Sequence, residues 1–143
     1  LIVGHLPPPE IQALGALPGV TVTGTVPDVR PYLARSWLST VPLRLGGGTR
    51  LKIVEALASG LPVVSTTIGA QGLDQVDRDI LAIADTPEAF VATTLHLLKD
   101  SAERERRSHC GRLVIEKHYS WQALGQQFAN FCQTMVTQAA TRS

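Results

Sequence analysis

Short apolar runs alternate along this chain with segments bounded by helix-start and helix-stop residues. Apolar and β-branched runs predict strands over residues 1–3, 20–23, 38–43, 62–66 and 80–84. Proline, glycine and small polar residues predict helices, caps included, over 10–15, 28–36, 49–59, 87–98, 101–118 and from 120 onward. Because the strands are continuous apolar runs, they are typical of a parallel sheet buried on both faces. The pattern predicts an α/β fold, with a doubly wound, Rossmann-like parallel sheet and helices on both faces.

Particular residues mark the boundaries of these helices. Asp28, Thr49 and Ser120 have side-chain oxygens that can accept a backbone N–H, so we predict that they are N-caps. Gly60 is predicted to end the helix that Thr49 begins. Both tryptophans are most simply interpreted as core aromatics.

Composition narrows the functional classes. The 143 residues suffice for one domain, and an apolar fraction of 44% is enough to build a core. Thirteen Lys and Arg oppose twelve Asp and Glu, so we expect no nucleic-acid partner, which would require a basic excess. Neither Cys110 nor Cys132 stands in a metal-ligand pattern, so we expect no metal site and ordinary thiols in a reducing compartment. No apolar run approaches the roughly 20 residues of a membrane span.

Most of the candidate chemistry lies in residues 43–60, where a strand end leads through glycines into a helix. Gly46, Gly47 and Gly48 allow backbone N–H groups to approach a ligand closely. The helix start adds unpaired N–H groups and a partial positive charge, and together these features make a phosphate site. The spacing excludes two common phosphate motifs, since no G-K-[ST] follows and the third glycine of G-x-G-x-x-G is missing.

The helix after these glycines combines apolar and charged positions. Apolar residues cover most of its circumference, so we expect it to be largely buried. Lys52, Glu55 and Ser59 share one face, and a charged stripe on a buried helix needs partners or a cleft. Lys52 can then meet phosphates, and Glu55 can accept hydrogen bonds from ribose hydroxyls. In the alternative interpretation the glycines are a plain connection, and Lys52 and Glu55 form a surface pair that contributes about 0.3 to 0.5 kcal/mol.

The block from Gly46 to Gly60, followed by residues 61–73, has a specific pattern that points to a family. It closely resembles the C-terminal domain of family 4 (group 1) glycosyltransferases of the GT-B class. Weaker blocks at 1–4, 20–24, 26–33 and 119–121 follow in that family's order, so the resemblance covers nearly the whole chain. It implies that residues 1–143 are the C-terminal, nucleotide-sugar-binding half of a GT-B fold, without the N-terminal acceptor-binding domain.

The resemblance also implies roles for individual residues. The family is retaining and takes a nucleotide-diphosphate sugar, with UDP or GDP as the nucleotide, and we expect no further cofactor and no metal. Lys52 and Glu55 are the implied catalytic-site residues, with Glu55 on the ribose and not a general base. The implied nucleotide-binding residues, which act largely through the backbone at the diphosphate, are Gly47, Gly48, Thr49, Arg50, Leu51 and Glu55, with Val26 beside the base.

One departure from the family pattern lies at Gly47, where many members carry the first glutamate of an E-x7-E pair that ends at Glu55. Three functions therefore stay open: glycosyl transfer, epimerisation or hydrolysis of a nucleotide sugar on the same fold, and non-catalytic binding of a nucleotide sugar or partner protein. The implied partners are a nucleotide sugar, the missing N-terminal domain, and an acceptor sugar or lipid-linked glycan. We expect a cytoplasmic protein, with a peripheral membrane contact through the arginines of 103–107 as an alternative.

Overall fold

The computed structural model describes residues 1–141, which form two compact units. The first unit comprises residues 1–36, and the second begins at Trp37. Each unit has its own secondary structure and is described by itself below.

The first unit contains two short helices and a single parallel bridge. Helix α1 spans Pro9–Ala13 and continues as a 3-10 turn over Leu14–Ala16, and helix α2 spans Arg30–Ala34. The predicted strands 1–3 and 20–23 meet only at the bridge between Ile2 and Val22. Both runs reach a glycine within two residues of that bridge, so there is too little chain on either side to extend the ladder.

The predicted N-cap at Asp28 is wrong in position. Helix α2 begins at Arg30, and its N-cap residue, Val29, makes no side-chain cap. The Asp28 carboxylate instead accepts the backbone N–H of Arg30 at 2.9 Å and pairs with the Arg30 guanidinium at 2.9 Å. The short aspartate side chain therefore satisfies one N–H of the helix start from two residues before it.

Three parallel strands form the centre of the second unit. β1 (Ser39–Val41), β2 (Val63–Ser65) and β3 (Leu81–Ile83) lie side by side in that order. Ser39 is in register with Val63, and Val63 is in register with Leu81. Each strand lies inside one predicted from the sequence, and the outer residues of each prediction belong to loops. The prediction of a parallel α/β sheet is confirmed.

Helices cover both faces of the central strand. α3 (Leu51–Ala58) packs against β1 and β2, and α4 (Pro87–Lys99) packs against β2. All three β2 residues are buried, and since successive strand residues point to opposite faces, both faces must be covered. On one of these faces, Val64 packs with Ala82 of β3 and Leu97 of α4.

Gly60 ends α3, as the sequence predicts. It has a positive φ of 74°, and its N–H donates to the Leu57 carbonyl at 3.0 Å. The N–H of Leu61 donates to the Ala56 carbonyl at 2.9 Å. These two bonds form a Schellman motif, which reverses the chain directly into β2.

A glycine allows helix α5 (Ser101–His118) to approach α3. A Cβ atom at Gly111 would lie 2.7 Å from Leu57 Cδ2 and 3.3 Å from Ile80 Cγ2. Leu57 is fully buried, so its side chain has no space into which it could withdraw. The close packing of α5 on α3 therefore requires glycine at this position.

The interpretation of both tryptophans as core aromatics is wrong. Trp37 is 64% exposed and lies beneath the Arg104 guanidinium, whose carbon is 4.8 Å from the ring centroid. Trp121 is 92% exposed at the first residue of helix α6 (Trp121–Thr141). The Ser120 hydroxyl accepts the Ala123 N–H at 3.2 Å, which confirms the predicted cap of α6.

Helix α6 has an unusual surface. It contains no charged residue, and an exposed apolar row with alternating three- and four-residue spacing runs along it: Trp121, Leu124, Phe128, Phe131 and Met135. Even so, none of the helices within residues 1–141 is both long and apolar enough to cross a membrane.

Candidate functional site

Two loops follow neighbouring strands at the carboxyl edge of the sheet. Residues 44–48 follow β1, and residues 67–72 follow β2. In open α/β sheets this edge is where ligands bind. Gly46 and Gly48 have φ values of +148° and +81°, which favour glycine, so the three-glycine sequence sets the path of the first loop.

Arg50 joins these two loops. Only 5% of the residue is exposed, and its Nη2 atom donates to the carbonyls of Ile68 at 2.9 Å and Gly46 at 3.2 Å. Its Nη1 atom donates to the Gly47 carbonyl at 3.3 Å. The guanidinium has no carboxylate partner among the described residues, and its Nε atom is buried without an acceptor there. A buried positive charge is thus held against the glycine-rich loop by neutral groups alone.

The start of α3 is open. The helix begins at Leu51, its N-cap residue is Arg50, and no side chain caps it. The predicted cap at Thr49 is therefore wrong: Thr49 is exposed, and the helix starts one residue later, where the Arg50 side chain turns inward to the loop carbonyls. Within the described chain, the six consecutive backbone N–H groups of residues 47–52 have no acceptor.

Helix α3 is half-buried, and the prediction of a largely buried helix is wrong. Ile53, Ala56 and Leu57 face the core, while Leu51 is 59% exposed. Lys52, Glu55 and Ser59 lie on the exposed side, as their spacing predicts. Glu55 lies one turn after the helix start on this side.

The surface pair between Lys52 and Glu55 is not formed. Neither side chain has a hydrogen-bond or ion-pair partner in the part of the chain that the structure describes. A cation and a carboxylate are therefore both available to a ligand at the open end of α3.

The predicted site residues of the second unit lie on one continuous segment. Gly47, Gly48 and Thr49 are exposed in the loop that leads into α3, and the other residues lie on α3 or at its start. Val26 belongs to the first unit, where it is half-buried. That unit has a cavity of about 420 Å³ lined by residues 6–7, 12, 15 and 22–25. Val26 does not line it.

Several supporting residues of the second loop were missed from the sequence. The Thr66 hydroxyl donates to the Leu43 carbonyl and accepts the Gly69 N–H at 2.9 Å. A Cβ atom at Gly69 would lie only 3.0 Å from the Val41 carbonyl oxygen, so the loop folds tightly back onto the end of β1. The run of Thr and Gly after β2 was the available signal for these contacts. The carbonyls of Leu43 and Val41 that it contacts, however, lie more than twenty residues earlier.

No group of three or more His, Cys, Asp and Glu side chains in the described chain is arranged to hold a metal ion. The glycine-rich loop and the helix start bring together amide donors, three cationic side chains (Arg44, Arg50 and Lys52) and the carboxylate of Glu55.

Comparisons with known proteins identify the family and the fold of this chain. Residues 1–100 match the family described as glycosyl transferases group 1. The fold is similar to that of sucrose-phosphate synthase from Thermosynechococcus elongatus, with a TM-score of 0.74 and 19% sequence identity. The match covers 95% of this chain and 38% of that protein, so the chain spans well under half of its structural relative. Comparison with curated protein sequences gives no match.

The structural relative is a GT-B glycosyltransferase, so the predicted Rossmann-like fold of that class is confirmed. The family match covers 100 of 143 residues and includes the glycine-rich loop and α3. The chain belongs to the group 1 glycosyl transferases.

Proposed function

We propose that this chain is the donor-binding domain of a retaining glycosyltransferase and that it binds the diphosphate and ribose of a nucleotide sugar. The observation that carries the proposal is the row of six backbone amides at 47–52, which have no acceptor in the described chain. Successive N–H groups at a glycine-rich loop and helix start form an anion site. A diphosphate has enough oxygen atoms to accept several of these bonds at once.

Charge at this site supports an anionic ligand. A buried charge without an opposite partner is costly, and Arg50 carries such a charge beside the loop. An anion bound to the amides would compensate it. Lys52 adds a second positive charge from the exposed side of α3. As the glycosidic bond breaks, negative charge develops on the leaving diphosphate, and donors already in place stabilise it without reorganisation.

Glu55 has a different role in this proposal. Its carboxylate has no partner in the described chain and lies one turn beyond the amides, where it can accept hydrogen bonds from both ribose hydroxyls. It orients the nucleotide and is not a general base. The loop around Val26 is proposed to lie beside the base, which rests on the family resemblance alone.

Calorimetric titration with UDP, GDP and ADP tests the proposal, with Glu55→Gln as the variant. We expect one nucleotide to bind, and Glu55→Gln to weaken that binding by about 5- to 30-fold, or about 1 to 2 kcal/mol, because the amide of glutamine keeps one acceptor oxygen but loses the charge and the second acceptor. Glu105→Gln is the matched control, because Glu105 is an exposed carboxylate on α5. Equal affinity of Glu55→Gln and wild type would refute the role of Glu55, and no binding of any nucleotide would refute the site.

A non-catalytic nucleotide-sugar-binding domain is the second candidate. Glu55 is the only carboxylate in residues 44–59, and Gly47 stands where the family resemblance implies the first glutamate of an E-x7-E pair. Release of nucleotide from a nucleotide sugar, measured with the full-length protein and an acceptor, separates the two: glycosyl transfer releases the nucleotide, and a non-catalytic binding domain releases none. We expect none from this chain alone, since the proposal assigns acceptor binding to a further domain. Acceptor-free release would instead favour an epimerase or hydrolase.

A further inference from the structure

Asp85 follows β3 at the carboxyl edge of the sheet and holds the beginning of loop 67–72. Its Oδ1 atom accepts the backbone N–H of Thr67 at 2.7 Å, and its Oδ2 atom accepts the Thr67 hydroxyl at 2.8 Å. The backbone bond and then the hydroxyl bond lower the pKa of Asp85, and Arg78 lowers it further. The ionised carboxylate of Asp85 therefore binds Thr67 through both of its oxygen atoms.

The loop held by Asp85 in turn holds Arg50. Ile68 directly follows Thr67, and its carbonyl accepts the shortest hydrogen bond of the Arg50 guanidinium, at 2.9 Å. The same Nη2 atom reaches the Gly46 carbonyl at 3.2 Å. The loops after β3, β2 and β1 are thus joined in one hydrogen-bonded series that ends at the glycine-rich loop.

The rest of loop 67–72 is fixed independently. The Gly69 N–H donates to the Thr66 hydroxyl, which donates to the Leu43 carbonyl. Loss of the Asp85 carboxylate would therefore leave the back of the loop and the sheet in place. It would release the N–H and hydroxyl of Thr67, and the Ile68 carbonyl that orients Arg50 would then be held only by the long 3.4 Å bond from the Gln71 N–H and by Arg50 itself.

We propose that Asp85 is a positioning residue for the diphosphate site, which it serves through Thr67, Ile68 and Arg50 without touching the ligand. This inference rests on the proposed function of the glycine-rich loop. The carboxylate fixes the Ile68 carbonyl, the carbonyl fixes the guanidinium, and the guanidinium fixes the Gly46 and Gly47 carbonyls. The amides of this loop then face the ligand in a set geometry, which reduces the ordering that binding would otherwise require.

The test combines two measurements on wild type, Asp85→Ala and Asp85→Asn. In calorimetry with the nucleotide that binds wild type best, we expect Asp85→Ala to weaken binding by about 3- to 10-fold, in the range of couplings carried by positioning networks. Asp85→Asn should recover part of the loss, because its amide oxygen can still accept the Thr67 N–H. Asp74→Ala is the control: it removes the same charge from an exposed position without a hydrogen-bond partner in the described chain.

Backbone amide NMR chemical shifts give a readout that a merely structural role would not move. Asp85→Ala should shift the amide resonances of residues 44–50 as well as 67–72, while those of α5 stay as in wild type. Unchanged resonances in 44–50 would overturn the proposal, and so would wild-type affinity in Asp85→Ala. If wild type binds no nucleotide, the proposed function fails, and with it the site that Asp85 would serve.

Discussion

Replacement of Arg50 by alanine should destabilise the second unit and disorder the glycine-rich loop. The 2.9 Å bond to the Ile68 carbonyl is a hydrogen bond from a charged group, which contributes about 1.5 to 3 kcal/mol. The longer bonds to Gly46 and Gly47 add less to the free energy of unfolding, because water can reach the carbonyls of these exposed residues, but they hold the glycine-rich loop in its path. Removal of the Nε atom, which is buried without an acceptor, offsets about 1 kcal/mol of this loss in unfolding free energy. The net loss is about 1 to 2 kcal/mol, or roughly 2 to 8 °C in Tm for a chain of this size.

Urea unfolding followed by circular dichroism measures this loss for Arg50→Ala, Arg50→Lys and wild type. Lysine keeps the charge but lacks the planar fork that reaches several carbonyls, so we expect an intermediate stability. Nucleotide affinity should fall in the order wild type, Arg50→Lys, Arg50→Ala. An Arg50→Ala chain as stable as wild type would show that the guanidinium does not join the two loops. Full recovery by lysine would show that charge alone matters.

Three further predictions concern glycines and an acidic side chain. Gly48→Ala should lower the free energy of unfolding by about 1 kcal/mol or more, because the φ of Gly48 is +81°. Gly47→Ala should lower it less, because a Cβ atom at Gly47 would meet nothing within 4 Å. Equal losses in the two variants would contradict the loop geometry. Gly111→Ala should lower stability by about 1 to 3 kcal/mol through overcrowding, despite its better helix propensity, and a rise in Tm would refute the close packing of α5 on α3. Hydrogen bonds from Arg106 and from the next residue lower the pKa of Glu103 to about 2. The stability this provides is complete above the unfolded value near 4.5 and is lost as pH falls towards 2, so Glu103→Gln should be less stable than wild type at pH 6 but not at pH 2.

Local signals predicted the helices of the second unit well. Pro87 at the start of α4 and the Ser120 cap of α6 act within three residues of themselves. α4, α5 and the start of α6 lie within a residue of their predicted positions. The strands were predicted too long, because ladder length depends on how far a neighbouring strand extends. The cap at Thr49 failed because the helix start depends on Arg50, whose best acceptor lies eighteen residues later. No local pattern contains that information.

The same distinction applies to Trp37 and to the candidate site. The partner of Trp37 is Arg104 on α5, so nothing near Trp37 in the sequence indicates a partly exposed ring beneath a guanidinium. The glycines and α3 formed a continuous sequence block and could be found. The hydrogen bond between Thr67 and Asp85 could not be predicted from the sequence. It depends on the parallel pairing of β2 and β3, which brings the ends of the two strands together.

The strand order has a consequence for how the second unit forms during synthesis. Each strand pairs with the one before it, and each crossover closes a loop of only about twenty residues, so the sheet can grow in the order in which the ribosome delivers it. Until β3 emerges, β2 is an edge strand with two valines and unpaired backbone groups, and such edges pair with other chains. The step most exposed to aggregation is therefore the interval between residues 65 and 81, and a nascent chain stalled there should require a chaperone more than one stalled after β3.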